Sequence, residues 1–229
     1  MKIAGLQKLT LLDYPGHTAC TVFTAGCNFR CPFCHNSDLL RKNEGDISES
    51  EFFEFLLSRR AKLDGVCITG GEPLLQPDIL EFMQKIRDMG FLVKLDTNGS
   101  IYDKLHYIVN NKMCDYIAMD IKNAPEKYNL TAGGMINVDN VKQSVNLLLN
   151  QNFIDYEFRT TVVKELHDKS DFKAISAFIA GAKRYFLQQY KDSEKVLDRR
   201  FSAYSESEML EIMQYLQTNG VKNTACRGF

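Results

Sequence analysis

Three cysteines, Cys27, Cys31 and Cys34, crowd one short run, GCNFRCPFCHN. Three is an awkward number, because a disulfide uses two and a structural zinc site takes four ligands. Soft thiolates select zinc or iron–sulfur clusters. A four-iron cluster ordinarily takes four cysteines. With three, one iron keeps an open position, as a catalytic zinc does for its substrate, and a small chelating molecule can bind it directly. The competing reading is zinc with His35 as fourth ligand. That arrangement is strained, because Cys34 and His35 are adjacent and no second cysteine pair exists elsewhere.

Further along, ITGGEPLLQP carries two consecutive glycines, Gly70 and Gly71, which let the backbone approach a ligand closely. Glu72 beside them can accept hydrogen bonds from an ammonium group. The plainer alternative is a glycine turn between strand and helix, punctuated by Pro73. DTNG, residues 96–99, is by itself only an Asn-Gly turn. In MDIKN a strand puts Asp120 and Lys122 on one face, as an ion pair. Arg159 reads equally as a carboxylate binder or as a structural ion-pair partner.

The elements that must position these residues follow from periodicity. HTACTVFTAG, LDGVCIT, FLVKLD, CDYIAMDI, DYEFRTTVV and RYFLQQY read as strands, and VKNTAC as a last short one. Between them lie helix-type runs. SESEFFEFLLSRR and SESEMLEIMQYL open on capping-box patterns, Ser48 with Glu51 and Ser205 with Glu208. PDILEFMQKIRDMG carries Ile79, Phe82, Met83 and Ile86 on one face. IYDKLHYIVN, NVKQSVNLLLN and SDFKAISAFIAGAK complete the set. A strand–helix unit repeated about six times predicts an α/β fold with a parallel sheet and helices outside. An open doubly wound sheet and a barrel both fit this pattern. A full eight-fold barrel takes about 250 residues, so 229 residues predict an incomplete one, (β/α)6 and TIM-like. No linker divides the chain, which is expected to be one domain over residues 1–229.

In such a barrel functional residues occupy the loops after the strands. The cysteine loop follows the first of these strands, GGEP the second and DTNG the third, and DIK ends the fourth. Arg159 and Thr161 lie on the fifth, Gln188 and Gln189 on the sixth. Each motif is weak alone; their common location argues for one composite site.

A formal net charge of −1 speaks against a general nucleic-acid or acidic-membrane binder. The opening residues are broken by Gln7, Lys8 and Asp13 and read as no signal peptide. No run reaches membrane-spanning length. These features predict a cytoplasmic protein with reduced thiols. Cys20, Cys67 and Cys114 lie in apolar strand contexts and read as core, as do Phe52, Phe53, Phe55, Leu56 and Leu57 on their helix. His17 and His106 read as surface or edge residues.

With Phe33 preceding the third cysteine, C-x3-C-x2-C resembles the cluster loop of radical S-adenosylmethionine (SAM) enzymes, and GGEP resembles that superfamily's motif for the methionyl amino group. CHN, GGEP, LDTNG and DIK together resemble the activating enzymes of glycyl radical enzymes. GLQKLTLLDYPG, RYFLQQY and RGF are most similar to the activators of anaerobic ribonucleoside-triphosphate reductase. Only SDLLRKNEGDISE separates the cluster loop from the next helix. The longer branch, which carries an inserted ferredoxin-like segment there, is thereby excluded, and the short activators of the reductase or of pyruvate formate-lyase remain.

The resemblance implies a 4Fe-4S cluster on Cys27, Cys31 and Cys34, and SAM bound near Phe33, Gly70, Gly71 and Glu72. It implies a monovalent cation at Asp96, Thr97 and Asp120, and charge balance for the methionyl carboxylate from Lys122 and Arg159. No side chain is expected as a general acid or base, since the cofactors carry the chemistry. The implied partners are a glycyl radical enzyme as protein substrate and a flavodoxin- or ferredoxin-like electron donor. Two other readings stay open: a cluster- or zinc-binding sensor, which has no use for an ammonium-binding glutamate beside its metal, and a radical enzyme acting on a small molecule.

Overall fold

The structure, a computed structural model, describes residues 1–42 and 44–229. Among the described residues eight strands form one sheet in strict chain order. They are β1 (Ile3–Thr10), β2 (Ala19–Thr24), β3 (Gly65–Gly70), β4 (Leu92–Thr97), β5 (Tyr116–Asp120), β6 (Asp155–Val162), β7 (Tyr185–Gln189) and β8 (Thr224–Arg227). β1 runs antiparallel to β2, and every later pair is parallel. The helices are α1 (Ser37–Arg41), α2 (Glu49–Ser58), α3 (Ile79–Asp88), α4 (Tyr102–Asn110), α5 (Tyr128–Ala132), α6 (Val138–Asn150), α7 (Lys169–Phe178) and α8 (Glu206–Thr218).

Local chemistry explains where the helices begin. Ser48 with Glu51, and Ser205 with Glu208, make the two predicted capping boxes. Asp168 with Asp171 makes a third at α7, so each of these helices starts with at least two of its N-terminal N–H groups satisfied. The helices bury one stripe against the sheet through Phe52, Phe82, Ile86, Leu105, Val145 and Ile175. Cys20 and Cys114 are buried in this core, whereas Cys67, expected there too, is buried on the other face of the sheet with its Sγ against Lys94 and Asp96. Leu57 is the exception on α2, 54% exposed, because it sits a third of a turn away from the buried Phe52–Leu56 stripe.

The other face of the sheet is not apolar. Gln7 of β1, Thr21 and Phe23 of β2, Thr69 of β3, Asp96 of β4, Asp120 of β5, Arg159 and Thr161 of β6, and Gln188 of β7 all line one cavity. Seven strands can face one space only if the sheet curls, and period-two alternation then sends every second residue inward. The strand order ends at β1 on one side and β8 on the other, so among the described residues the curl is a partial barrel.

The six expected strand–helix units run from β2 to α8, and β8 is the expected last strand. The sequence reading lacked β1. Its run, IAGLQKLT, mixes polar and apolar residues without clean alternation, and β1 forms only by pairing along β2 with two register irregularities. It also lacked the short helices α1 and α5. The helix expected over residues 170–183 ends at Phe178, and the chain then turns through Gly181 at φ 83°.

Candidate functional site

The cavity occupies about 340 Å³ at the C-terminal ends of the parallel strands. Cys27, Cys31 and Cys34 face it from the loop after β2, together with Phe33, His35 and Asn36. This loop has no regular structure between residues 25 and 36 and is held from outside. Gly26 N–H donates to the Leu39 carbonyl at 2.8 Å and Arg30 N–H to the Ala132 carbonyl at 2.8 Å. Phe29, buried, meets the ring of Tyr128 edge-on at 6.5 Å. Within the loop, Cys34 N–H donates to the Cys31 carbonyl, and this tight turn brings two of the thiols to the same wall.

The GGEP loop braces the cysteine loop directly. Gly71 N–H donates to the Thr24 carbonyl at 2.9 Å and Glu72 N–H to the Gly26 carbonyl at 2.9 Å. A Cβ on Gly71 would lie 1.8 Å from the Gly26 oxygen, and one on Gly70 2.3 Å from the Thr24 nitrogen. Gly70 also has φ 112°. The glycines therefore permit close approach, as expected, but the group approached is the backbone of the cysteine loop. Both glycines also reach the cavity wall.

Glu72 differs from its expected position. It is fully buried and not among the residues facing the cavity. Its Oε1 accepts the Leu74 N–H at 3.0 Å and the Thr97 hydroxyl at 2.8 Å, and its Oε2 accepts the Asn98 N–H at 2.7 Å. The carboxylate thus ties the loop after β3 to the loop after β4, behind the cavity wall. Burial pushes it up to about 7, against the lowering effect of the three hydrogen bonds.

The charged group is one network. Arg159 donates from Nε to Asp120 at 2.9 Å and from Nη1 to Asp96 at 3.0 Å. Lys122 Nζ donates to Asp120 at 2.9 Å. Lys94, which the sequence reading passed over, pairs with Asp96 from below. Burial alone would raise both carboxyls. Arg159 with Lys94 holds Asp96 below the usual range, and Arg159 with Lys122 takes Asp120 down to about 2. Within the network three protein cations meet two carboxylates, and Asp13 adds a further carboxylate to the cavity lining.

Of the sequence-predicted residues, the three cysteines, Phe33, Gly70, Gly71, Asp96, Thr97, Asp120, Lys122 and Arg159 line the one cavity. The signal for Lys94 was present in the sequence, since a lysine two residues before Asp96 on a strand shares its face. Asn98 also contributes: its Nδ2 lies 3.0 Å from Asn28 Oδ1 and 3.9 Å from Cys27 Sγ.

Thiolate chemistry suits the cysteine loop to a multi-iron cluster. Burial pushes Cys27 up to about 12 and Cys31 up to about 11, so thiolates form there only when a metal takes the place of the proton. Among the described residues no three His, Cys, Asp or Glu side chains close on a single metal ion. All three thiols face the same cavity, and a multi-iron cluster takes one thiolate per iron.

Comparison with known proteins gives the family. The profile described as Radical SAM superfamily matches residues 21–179. A Methanocaldococcus jannaschii protein provisionally named a glycyl-radical enzyme activating enzyme is 29% identical over 219 residues, 92% of this chain and 89% of that one. The pyruvate formate-lyase-activating enzyme of Clostridium pasteurianum is 31% identical over 131 residues, 55% of this chain and 54% of that one. The Escherichia coli K12 anaerobic ribonucleoside-triphosphate reductase-activating protein is 37% identical over 84 residues, 34% of this chain and 54% of that one. In fold, Streptococcus suis SuiB bound to S-adenosylmethionine superposes with TM-score 0.68 at 14% identity, over 89% of this chain and 48% of that one.

Proposed function

The chain belongs to the radical SAM superfamily, and from that premise we propose that it is an activating enzyme that installs a glycyl radical on a partner protein. The observation that carries the reading is the shared cavity: three thiols and the paired Asp96–Arg159–Asp120–Lys122 network all face it. When bound, a 4Fe-4S cluster and SAM supply the electron and the adenosyl radical that removes a hydrogen atom from a glycine of the partner.

The chain's own residues bind, orient and exclude water. Cys27, Cys31 and Cys34 hold the cluster, and Phe33 packs beside them. The backbone of Gly70 and Gly71, on the cavity wall, would receive the methionyl amino group. Arg159 and Lys122 balance the methionyl carboxylate, with Asp96 and Asp120 holding both cations in place. Glu72 acts from behind the wall by fixing Thr97 and Asn98. The whole chain is taken as one domain. A flavodoxin- or ferredoxin-like protein is the proposed electron donor. No helix among the described residues is long and apolar enough to cross a membrane, in keeping with the proposed cytoplasmic setting.

The proposed partner is anaerobic ribonucleoside-triphosphate reductase, supported by the opening, the RYFLQQY run and the closing RGF. The relatives include activators of both the reductase and pyruvate formate-lyase, so the test runs both. Reduced enzyme, SAM and each candidate partner are mixed without oxygen and examined by electron paramagnetic resonance. A glycine-centred doublet on the reductase, with 5′-deoxyadenosine formed in step, supports the proposal. A doublet only on the lyase moves the assignment to that partner. 5′-Deoxyadenosine with no protein radical replaces it with a small-molecule substrate.

A further inference from the structure

The monovalent cation implied at Asp96, Thr97 and Asp120 does not fit these residues as they are held. Asp96 Oδ1 is taken by the Lys94 ammonium, and its Oδ2 by the Thr69 hydroxyl at 3.2 Å and Arg159 at 3.0 Å. Asp120 Oδ1 is taken by Arg159 and Oδ2 by Lys122, each at 2.9 Å. The Thr97 hydroxyl donates to Glu72 and accepts the Gly99 N–H at 3.1 Å. A sodium or potassium ion binds through oxygen lone pairs. Both Asp96 oxygens are filled, Oδ1 taking the Cys67 thiol at 3.8 Å as well, and the lone pairs left on Asp120 lie beside the Arg159 and Lys122 cations, which repel a third.

Lys94 is the unusual member of this set. It is 2% exposed, deep in the barrel on the strand that carries Asp96, and its Nζ lies 3.7 Å from Cys67 Sγ. Burying an ammonium costs several kcal/mol before pairing. A structural ion pair for Asp96 needs one cation, and Arg159 already supplies it. The second cation therefore does something that the pair alone does not. It places one fixed positive charge against the face of Asp96 that points away from Arg159, and it does so without recruiting an ion from solution.

We propose that Lys94 is the site's resident cation, taking the place beside Asp96 of a bound alkali metal ion, so that the enzyme binds SAM without added sodium or potassium. The inference rests on the proposed function only in using SAM as the ligand. It assigns Lys94 a positioning role: the ammonium holds Asp96, Asp96 holds Arg159, and Arg159 meets the methionyl carboxylate.

The test measures SAM binding by equilibrium dialysis to the anaerobically reconstituted enzyme, in choline chloride and in potassium chloride of equal ionic strength. The wild-type Kd should agree between the two within about twofold. Lys94→Met should bind roughly tenfold or more weakly in choline and regain most of that loss in potassium. The double variant Lys94→Met/Asp96→Asn should lose the potassium response. Thermal melting of the same proteins gives a readout independent of SAM: potassium should raise the melting temperature of Lys94→Met and leave wild type unchanged. A wild-type enzyme that needs potassium overturns the inference, with no variant required, and so does a Lys94→Met protein blind to potassium in both readouts. Failure of wild type to bind SAM in either salt strikes instead at the proposed function, and the melting experiment still decides the role of Lys94.

Discussion

The Glu72 carboxylate accepts the Asn98 backbone N–H at 2.7 Å, joining two loops 26 residues apart in the chain. Asn98 in turn reaches Asn28 and the neighbourhood of Cys27. Together with the Glu72 N–H bond to the Gly26 carbonyl, this makes GGEP, DTNG and the cysteine loop one hydrogen-bonded unit. A change at Glu72 is therefore felt at the cysteines without any ligand passing between them.

Glu72→Ala leaves the Leu74 N–H, the Thr97 hydroxyl and the Asn98 N–H buried and without this acceptor. At about 1–3 kcal/mol for a single orphaned buried group, and with partial relaxation, the variant should lose roughly 3–5 kcal/mol of stability. Urea denaturation checks it. A loss below about 1 kcal/mol would show that the loops do not depend on this carboxylate.

The same residue predicts a pH dependence. Burial raises Glu72 from 4.5 to about 7, so the folded chain holds a proton that the unfolded chain releases. Its contribution to stability falls as the pH rises from 4.5 towards 7 and levels off above that. In Glu72→Gln this group no longer titrates, and the urea midpoint should drop less across the window than in wild type. Equal slopes would assign the dependence to other groups.

Gly71→Ala should disturb cluster loading. Its Cβ would press on the Gly26 carbonyl at 1.8 Å, so the cysteine loop must move. Gly134→Ala, with nothing within 4 Å of a new Cβ, is the control. Iron analysis after anaerobic reconstitution should show a clear deficit in the first and none in the second. Full loading of Gly71→Ala would mean that the loop tolerates the displacement.

Replacing Cys27, Cys31 or Cys34 by Ala should abolish the visible absorption of a cluster carrying about four irons per chain. Cys20→Ala and Cys226→Ala should retain it, since neither cysteine faces the cavity. Stoichiometric zinc in the native protein, with no iron uptake, would remove the radical reading altogether.

Arg159→Ala should weaken SAM binding by about 10- to 100-fold, the loss of a charge-assisted contact. Arg159→Lys should restore little of it, because one ammonium cannot span Asp96 and Asp120 as the guanidinium fork does. Wild-type affinity in Arg159→Lys would reduce the residue's part to simple charge.

The strand–helix alternation, the two capping boxes and the grouping of Cys27, Gly70, Asp96 and Asp120 at strand ends, with Arg159 on the following strand, were legible in the sequence. These follow from periods of 2 and 3.6 and from local hydrogen bonding, which act within a few residues. What side chains do across strands was not legible. Glu72 turns behind the wall because three donors from two loops meet there, and only the folded sheet brings those loops together. Lys94 joins Asp96 and Arg159 because the sheet curls and makes its inner face polar, whereas the pattern FLVKLD shows only a strand with one charge in its middle. β1 exists because β2 offers it an edge, a condition that no property of residues 3–10 contains.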